Sequence, residues 1–181
     1  MKKKYSKNLI KKSALLSLKP RIIVCNVDEK SLSAGNKYSD ACKKKFSGEN
    51  IIIVCADIED QIMSLQSKDR KDFMLDSGIK STGLDNLIKT GYSTLGLSTF
   101  FTSGPEESRA WTIEKNSKAV DAAGVIHTDF KKKFIRAETV THEDFIKYNG
   151  FNECKNIGKL RLEGKDYLVN DGDVMYFRVG S

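Results

Sequence analysis

Two apolar runs dominate the first half of the chain. "RIIVC" (residues 21–25) and "NIIIVCA" (50–56) are nearly continuous and rich in β-branched residues. Runs of this length and type read as strands buried on both faces. Between them, "NKYSDACKKKF" predicts a helix capped by Asn36 or Ser39. "DIEDQIMSL" predicts a helix whose acidic start suits the helix dipole. Strand, helix, strand of this kind predicts a βαβ unit in a parallel sheet. "SKDRKDFMLDSGI" then reads as a short helix ending at Gly78. "TGLDNLIKTGYSTLGL" sets Leu84, Leu87, Ile88, Tyr92 and Leu95 on one helical face.

From about Ser98 the period changes. "STFFTSG" and "ESRAWTI" predict short strands about a Gly104-Pro105 turn. "NSKAVDAAG" predicts one or two helical turns closed by Gly124. "KKFIRAETV" alternates as a half-exposed strand, and "THEDFIKYNG" opens a helix capped by Thr141 with Asp144 at its third position. "KLRLE", "DYLVN" and "DVMYFRV" follow, with Asp171-Gly172 predicting a hairpin between the last two. This is an α+β unit of roughly 80 residues. The expected core is Phe134, Ile135, Phe145, Leu162, Val174 and Phe177, and the expected boundary lies near Leu97.

Charge modifies this picture at one end. The net charge of +7 matches the seven lysines of the first 20 residues, which contain no acid, so the rest of the chain is balanced. The arm has two readings: a contact for phosphate or an anionic surface, or a solvated remnant of a helix. No apolar run approaches about 18 residues, so neither a membrane span nor a signal peptide is expected, and the cytoplasm is the expected location. Cys25, Cys42, Cys55 and Cys154 share no CxxC spacing. With two histidines in the chain, reduced thiols rather than a zinc site are expected.

The chemistry concentrates after the first strand. Ligands of parallel sheets bind beyond the carboxyl ends of the strands. Asn26, Val27 and Glu29 stand there, and Cys55-Ala56-Asp57 follows the second strand alongside. The spacing resembles the base-recognition segment of P-loop nucleotide hydrolases. GTPases have Asn-Lys-x-Asp at this place; this chain has Asn-Val-Asp-Glu. Adenine lacks the donors that the Asp serves in guanine, and backbone groups near Val27 suit its 6-amino group and N1.

The segments "RIIVCNVDE", "VCADIED", "GLDNLIKTGYSTLGLSTFFTSGPEESRAWTI", "AAGVIHTDFKKKFIRAETV" and "KLRLEGKDYLVNDGDVMYFRV" resemble, in colinear order, the carboxyl-terminal portion of the YchF/Obg-like ATPase family. The likeness covers nearly everything after residue 13. It implies an α/β fragment of a P-loop nucleotide-hydrolase (Obg-type G) domain over 21–97, followed by a ubiquitin-like β-grasp (TGS) domain over 98–181. Residues 1–20 would be the basic remnant of a helical insertion. It also implies a nucleotide-base site at Asn26, Val27, Glu29, Cys55 and Ala56, with ATP preferred over GTP. A ribosome or ribosomal RNA is the implied partner. The chain contains no G-x-x-x-x-G-K-[ST] motif, so phosphate positioning and the Mg²⁺ ligands of the family are missing, and ATP binding is expected to be weak or absent.

Lys131, Lys132, Lys133 and Arg136 are candidates for an RNA contact, against a solvated turn. His127 is expected as a structural histidine hydrogen-bonded at a strand end, and Trp111 as a packing residue. Asp171 and Asp173 read as turn chemistry. Three functional readings remain open at this point: a ribosome- or RNA-binding module, the carboxyl-terminal part of a split ATPase completed by a separate P-loop polypeptide, or a decayed remnant without activity. Two parallel strands of a larger sheet would leave an apolar edge, so the first half is expected to be marginal alone.

Overall fold

Strands β1 (Ile22–Asn26) and β2 (Asn50–Val54) lie parallel, in register from Ile22 opposite Asn50 to Asn26 opposite Val54. The structure, a computed structural model, describes residues 15–180. The lysine-rich segment expected over 1–20 therefore lies largely outside the described residues. The chain divides into two compact units, with the division between Leu95 and Gly96.

In the first unit, α1 (Lys37–Lys45) connects the two strands. Asn36 caps it by accepting from Tyr38 and Ser39 amides, and the Ser39 hydroxyl accepts from the Asn36 amide in return. Both capping candidates are thus used, each satisfying a donor the helix end cannot. Helices α2 (Ala56–Ser64), α3 (Ser67–Asp76) and α4 (Gly83–Leu95) follow. Cys55, Ile58 and Ile62 are buried against Leu32, Phe73, Met74 and Ile79. The apolar stripe of α4 is not buried: Leu84, Leu87, Ile88, Tyr92 and Leu95 are all exposed, as is Val24 on β1. Among the described residues, β1 pairs with β2 alone. Among the described residues the unit therefore presents an open strand edge beside exposed apolar side chains.

The second unit is a five-stranded sheet in the order β4-β3-β7-β5-β6. Its strands are β3 (Leu97–Ser103), β4 (Ser108–Glu114), β5 (Phe134–Thr141), β6 (Arg161–Glu163) and β7 (Asp173–Val179). β7 lies at the centre, parallel to β3 and antiparallel to β5. Helices α5 (Ala119–Ile126) and α6 (Thr128–Lys132) follow β4. α5 places Ala119, Ala122 and Ala123 in a core with Phe100, Phe177 and Met175. Helices α7 (His142–Lys147) and α8 (Phe151–Asn156) accompany the second core, where Phe145 and Phe151 pack on buried Val140, Cys154 and Val174. Thr141 caps α7 through Asp144, as its sequence predicts.

Four expectations are corrected here. α5 runs through Gly124 to Ile126, since a glycine inside a helix is tolerated when packing supplies the stability. Ile135 and Leu162 are each 59% exposed, so neither belongs to the core that Phe134, Val174 and Phe177 do enter. Asp171-Gly172 does not join a hairpin: residues 166–170 form only one isolated bridge, Leu168 to Lys118. Instead the Asp171 carboxylate accepts from the Thr99 amide and the Gly172 amide donates to the Thr99 carbonyl, clipping the turn to β3. Finally, Asp173 does more than shape a turn. Its buried carboxylate accepts from Arg161 (3.0 Å), the Tyr167 hydroxyl (2.7 Å) and the Asn170 amide (2.9 Å).

Candidate functional site

The carboxyl end of β1 forms a braced corner. Asn26 Oδ1 accepts from the Ala56 amide at 3.0 Å, tying the end of β1 to the first turn of α2. The Val27 amide donates to the Val54 carbonyl at 2.8 Å. Asp28 Oδ1 accepts from the Ser31 amide and caps the short 3₁₀ turn at Glu29–Ser31. That interaction, first through the side chain and then the backbone of Ser31, holds the Asp28 carboxyl below the usual aspartate range. Glu29 lines a cavity of about 420 Å³ together with Leu32, Ile53, Glu59, Ile79 and Gly83.

The structure thus brings Asn26, Val27, Glu29 and Ala56 to one corner, with two qualifications. The amides of Val27 and Ala56 are already committed within the protein. The Cys55 side chain is buried with Ile58 and Ile62, so this residue faces the core and offers a ligand no thiol. Burial of that kind also applies to Cys154; Cys25 and Cys42 are half-buried, and all four are free.

Glu59, which no local sequence feature singles out, also stands at this corner. Its carboxylate accepts from the Gly83 amide (2.5 Å) and the Leu84 amide (3.3 Å), satisfying two orphan donors of α4. Gly83 lies so close to β2 that an added Cβ would stand 2.7 Å from Val54 Cγ1. The Thr82 hydroxyl accepts from the Asp85 amide and caps the same helix start. Nothing local to Gly83 points to an acid 24 residues earlier.

In the second unit the basic candidates separate. Lys131 pairs with Asp121 at 2.8 Å and Lys132 with Asp129 at 3.7 Å. Lys133 and Arg136 form no ion pair with another described residue. His127 is not at a strand end: it joins α5 to α6, and its Nδ1 accepts from the Asp129 amide, a capping role. Trp111 stacks on Phe100 at 6.5 Å and donates from Nε1 to Thr102 Oγ1, while Arg109 covers its ring at 4.2 Å. Among the described residues no group of three or more His, Cys, Asp or Glu is placed to hold a metal ion.

Comparison with known proteins completes the picture. Residues 97–180 match the family model YchF-GTPase_C, described as "Protein of unknown function (DUF933)". The ribosome-binding ATPase YchF of Bacillus subtilis (strain 168) is 47% identical over 174 residues, covering 94% of this chain and 48% of the relative. The protein of that name from Escherichia coli O157:H7 is 44% identical over 173 residues, covering 94% and 47%. The structure of the Schizosaccharomyces pombe YchF GTPase superposes with a TM-score of 0.79 at 34% identity, over 94% of this chain and 46% of that one. The fold is therefore the α/β arrangement of the carboxyl-terminal part of YchF GTPase structures. The chain is a carboxyl-terminal YchF sequence, and it spans about half the length of the curated relatives it matches.

Proposed function

We propose that this chain binds the ribosome or ribosomal RNA through its second unit, and that its first unit is the base-recognition corner of an ATP-binding domain without ATPase activity of its own. What carries the reading is the colinear match, over 94% of the chain, to proteins named ribosome-binding ATPases. In this reading residues 21–97 are part of a P-loop hydrolase domain and 98–181 are a TGS domain of β-grasp type. The chain works in the cytoplasm, where ribosomes are. Asn26 keeps β1 and α2 in register, the Val27 carbonyl accepts from the adenine 6-amino group, and Glu29 lies at the rim of the cavity. Backbone at Ala56 flanks the base, with Cys55 buried behind it. Bound Mg²⁺ neutralises phosphate charge in such ATPases. The described residues offer no metal cluster and the sequence no phosphate-binding loop, so no step is assigned to Mg²⁺ here.

Co-sedimentation of the purified chain with ribosomes tests the partner. Binding that saturates and weakens with salt is expected; no binding at low salt overturns the reading. An ATP hydrolysis assay with Mg²⁺ tests the second half. Turnover above background in a sample free of contaminating ATPases overturns it.

A second reading is favoured by the uncovered apolar face of the first unit. Val24, Met63, Leu84 and Leu87 line an open groove beside the free edge of β1. A separate polypeptide carrying a P-loop and further parallel strands would cover both, giving a two-part ATPase. Mixing the chain with such a polypeptide should then restore ATP turnover, and no gain on mixing sinks this alternative.

A further inference from the structure

Arg136 and Arg178 stand directly opposite each other on β5 and β7, just beyond a register irregularity between Phe134 and Arg136. Like charges in facing positions of an antiparallel pair are destabilising. Glu138 answers only one of them: it accepts from Arg178 Nε at 2.9 Å and Nη2 at 3.4 Å. Arg136 is exposed and forms no ion pair with a described residue. Irregularities of this kind re-aim side chains and are concentrated beside functional sites.

The same face carries an aromatic ring. Tyr176 stands opposite Glu138, is 44% exposed, and has the Arg178 guanidinium 4.5 Å from its ring centre. Leu162, on β6, faces Glu138 from the other side. Strand alternation puts Arg136, Glu138, Tyr176, Arg178 and Leu162 on one face, and Ala137, Met175 and Phe177 on the buried one. Helices α7 and α8 cover only the Val140 and Val174 end of that face. At the uncovered end, the Gly180 amide donates to the Lys133 carbonyl, which brings Lys133, without an ion pair to any described residue, to the same end of the sheet.

An exposed ring, an apolar neighbour and guanidinium groups in excess over carboxylate, all on an open sheet, match what an unstacked nucleotide strand requires. Bases stack on rings and phosphates meet the cations. An acidic peptide would satisfy the charge and leave the ring without use. We propose that the open face of β5, β7 and β6 binds single-stranded RNA, with Tyr176 stacking on a base and Arg136 contacting phosphate. The proposal rests on the ribosome or RNA reading and locates its contact surface away from the paired lysines Lys131 and Lys132.

The test uses the whole chain and a fluorescein-labelled 12-nucleotide oligouridylate, followed by anisotropy over a series of salt concentrations. Arg136→Ala should weaken binding roughly fivefold and flatten the log–log salt slope by about 0.7, the value of one phosphate on a single strand. Tyr176→Leu should weaken it about tenfold with the slope unchanged, and Tyr176→Phe should keep it, because stacking needs the ring and not the hydroxyl. The Lys131→Ala, Lys132→Ala double variant should bind nearly as the parent. Ultraviolet crosslinking of the parent chain, followed by peptide mapping, needs no variant and should mark the peptide containing Tyr176. Folded Arg136→Ala and Tyr176→Leu variants that bind normally, or crosslinks confined to other segments, overturn this surface while leaving RNA binding in place. Ribosome co-sedimentation without any oligouridylate binding overturns the RNA assignment alone. Loss of both overturns the functional reading with it. Displacement by poly-glutamate as efficient as by RNA shows an acidic protein partner, and also overturns the proposal.

Discussion

Glu59, on α2, closes the start of α4 by accepting hydrogen bonds from the amides of Gly83 and Leu84. A carboxylate here satisfies orphan donors and sits at the positive end of a 13-residue helix. Glu59→Ala should therefore cost the first unit about 1 kcal/mol, in the range of a lost helix cap. Glu59→Gln, which keeps an acceptor, should cost less. Gly83→Ala should cost about 1–3 kcal/mol, because the new methyl meets Val54 at a distance that forces movement. Hydrogen exchange of the α4 amides reads all three. Unchanged protection in Glu59→Ala would show the contact to be energetically idle.

The buried Asp173 carboxylate holds Arg161, Tyr167 and Asn170 together. Hydrogen bonds to a charged group are worth about 1.5–3 kcal/mol, and removing the acceptor strands its donors. Asp173→Ala should destabilise the second unit by about 3 kcal/mol in denaturant unfolding followed by Trp111 fluorescence. Asp173→Asn should fall between it and the parent. A loss below about 1 kcal/mol would mean that the loop finds other partners.

Tyr167 supplies a pH dependence. Burial, and then its hydrogen bond to Asp173, raise the phenol above the ordinary tyrosine value. The folded state thus holds this proton to higher pH than the unfolded state does. The contribution is complete below about pH 10 and is lost as pH rises through the folded value. Tyr167→Phe should show a shallower fall of stability in that alkaline window. Parallel curves for the two proteins would remove Tyr167 as the cause.

The two units differ in how well their cores are closed. The second has buried clusters around Phe100 and around Val140, whereas the first exposes Val24, Leu84, Leu87 and Ile88. Segments with few buried apolar contacts open most readily. Limited proteolysis should cut first before about residue 96 and leave a resistant piece from there to the carboxyl terminus. Equal resistance of both units, with a single unfolding transition, would contradict this.

Local chemistry was readable along the chain. The runs 22–25 and 51–55 became β1, β2 and the residue after it, because continuous β-branched residues favour extended backbone; their expected burial on both faces is not met, since only Ile52 of the two strands is buried and Val24 is exposed. Asn36 and Thr141 became helix caps, because a cap involves only a few adjacent residues. The motif order that marks the family was equally legible. What only the tertiary structure decided involves residues far apart. Asp171-Gly172 has every local sign of a hairpin, yet Asp173 gathers Arg161 and Tyr167 and sends the chain up the centre of the sheet beside β3. The Glu59 cap spans two helices. Ile135 and Leu162 look like core positions, and the register beside β7 and β5 leaves them outside. Arg136 and Arg178 become a facing pair only through that register. Hydrophobic period encodes which face a residue takes within its own strand; which strand lies opposite, and with what offset, is decided by contacts the local pattern does not contain.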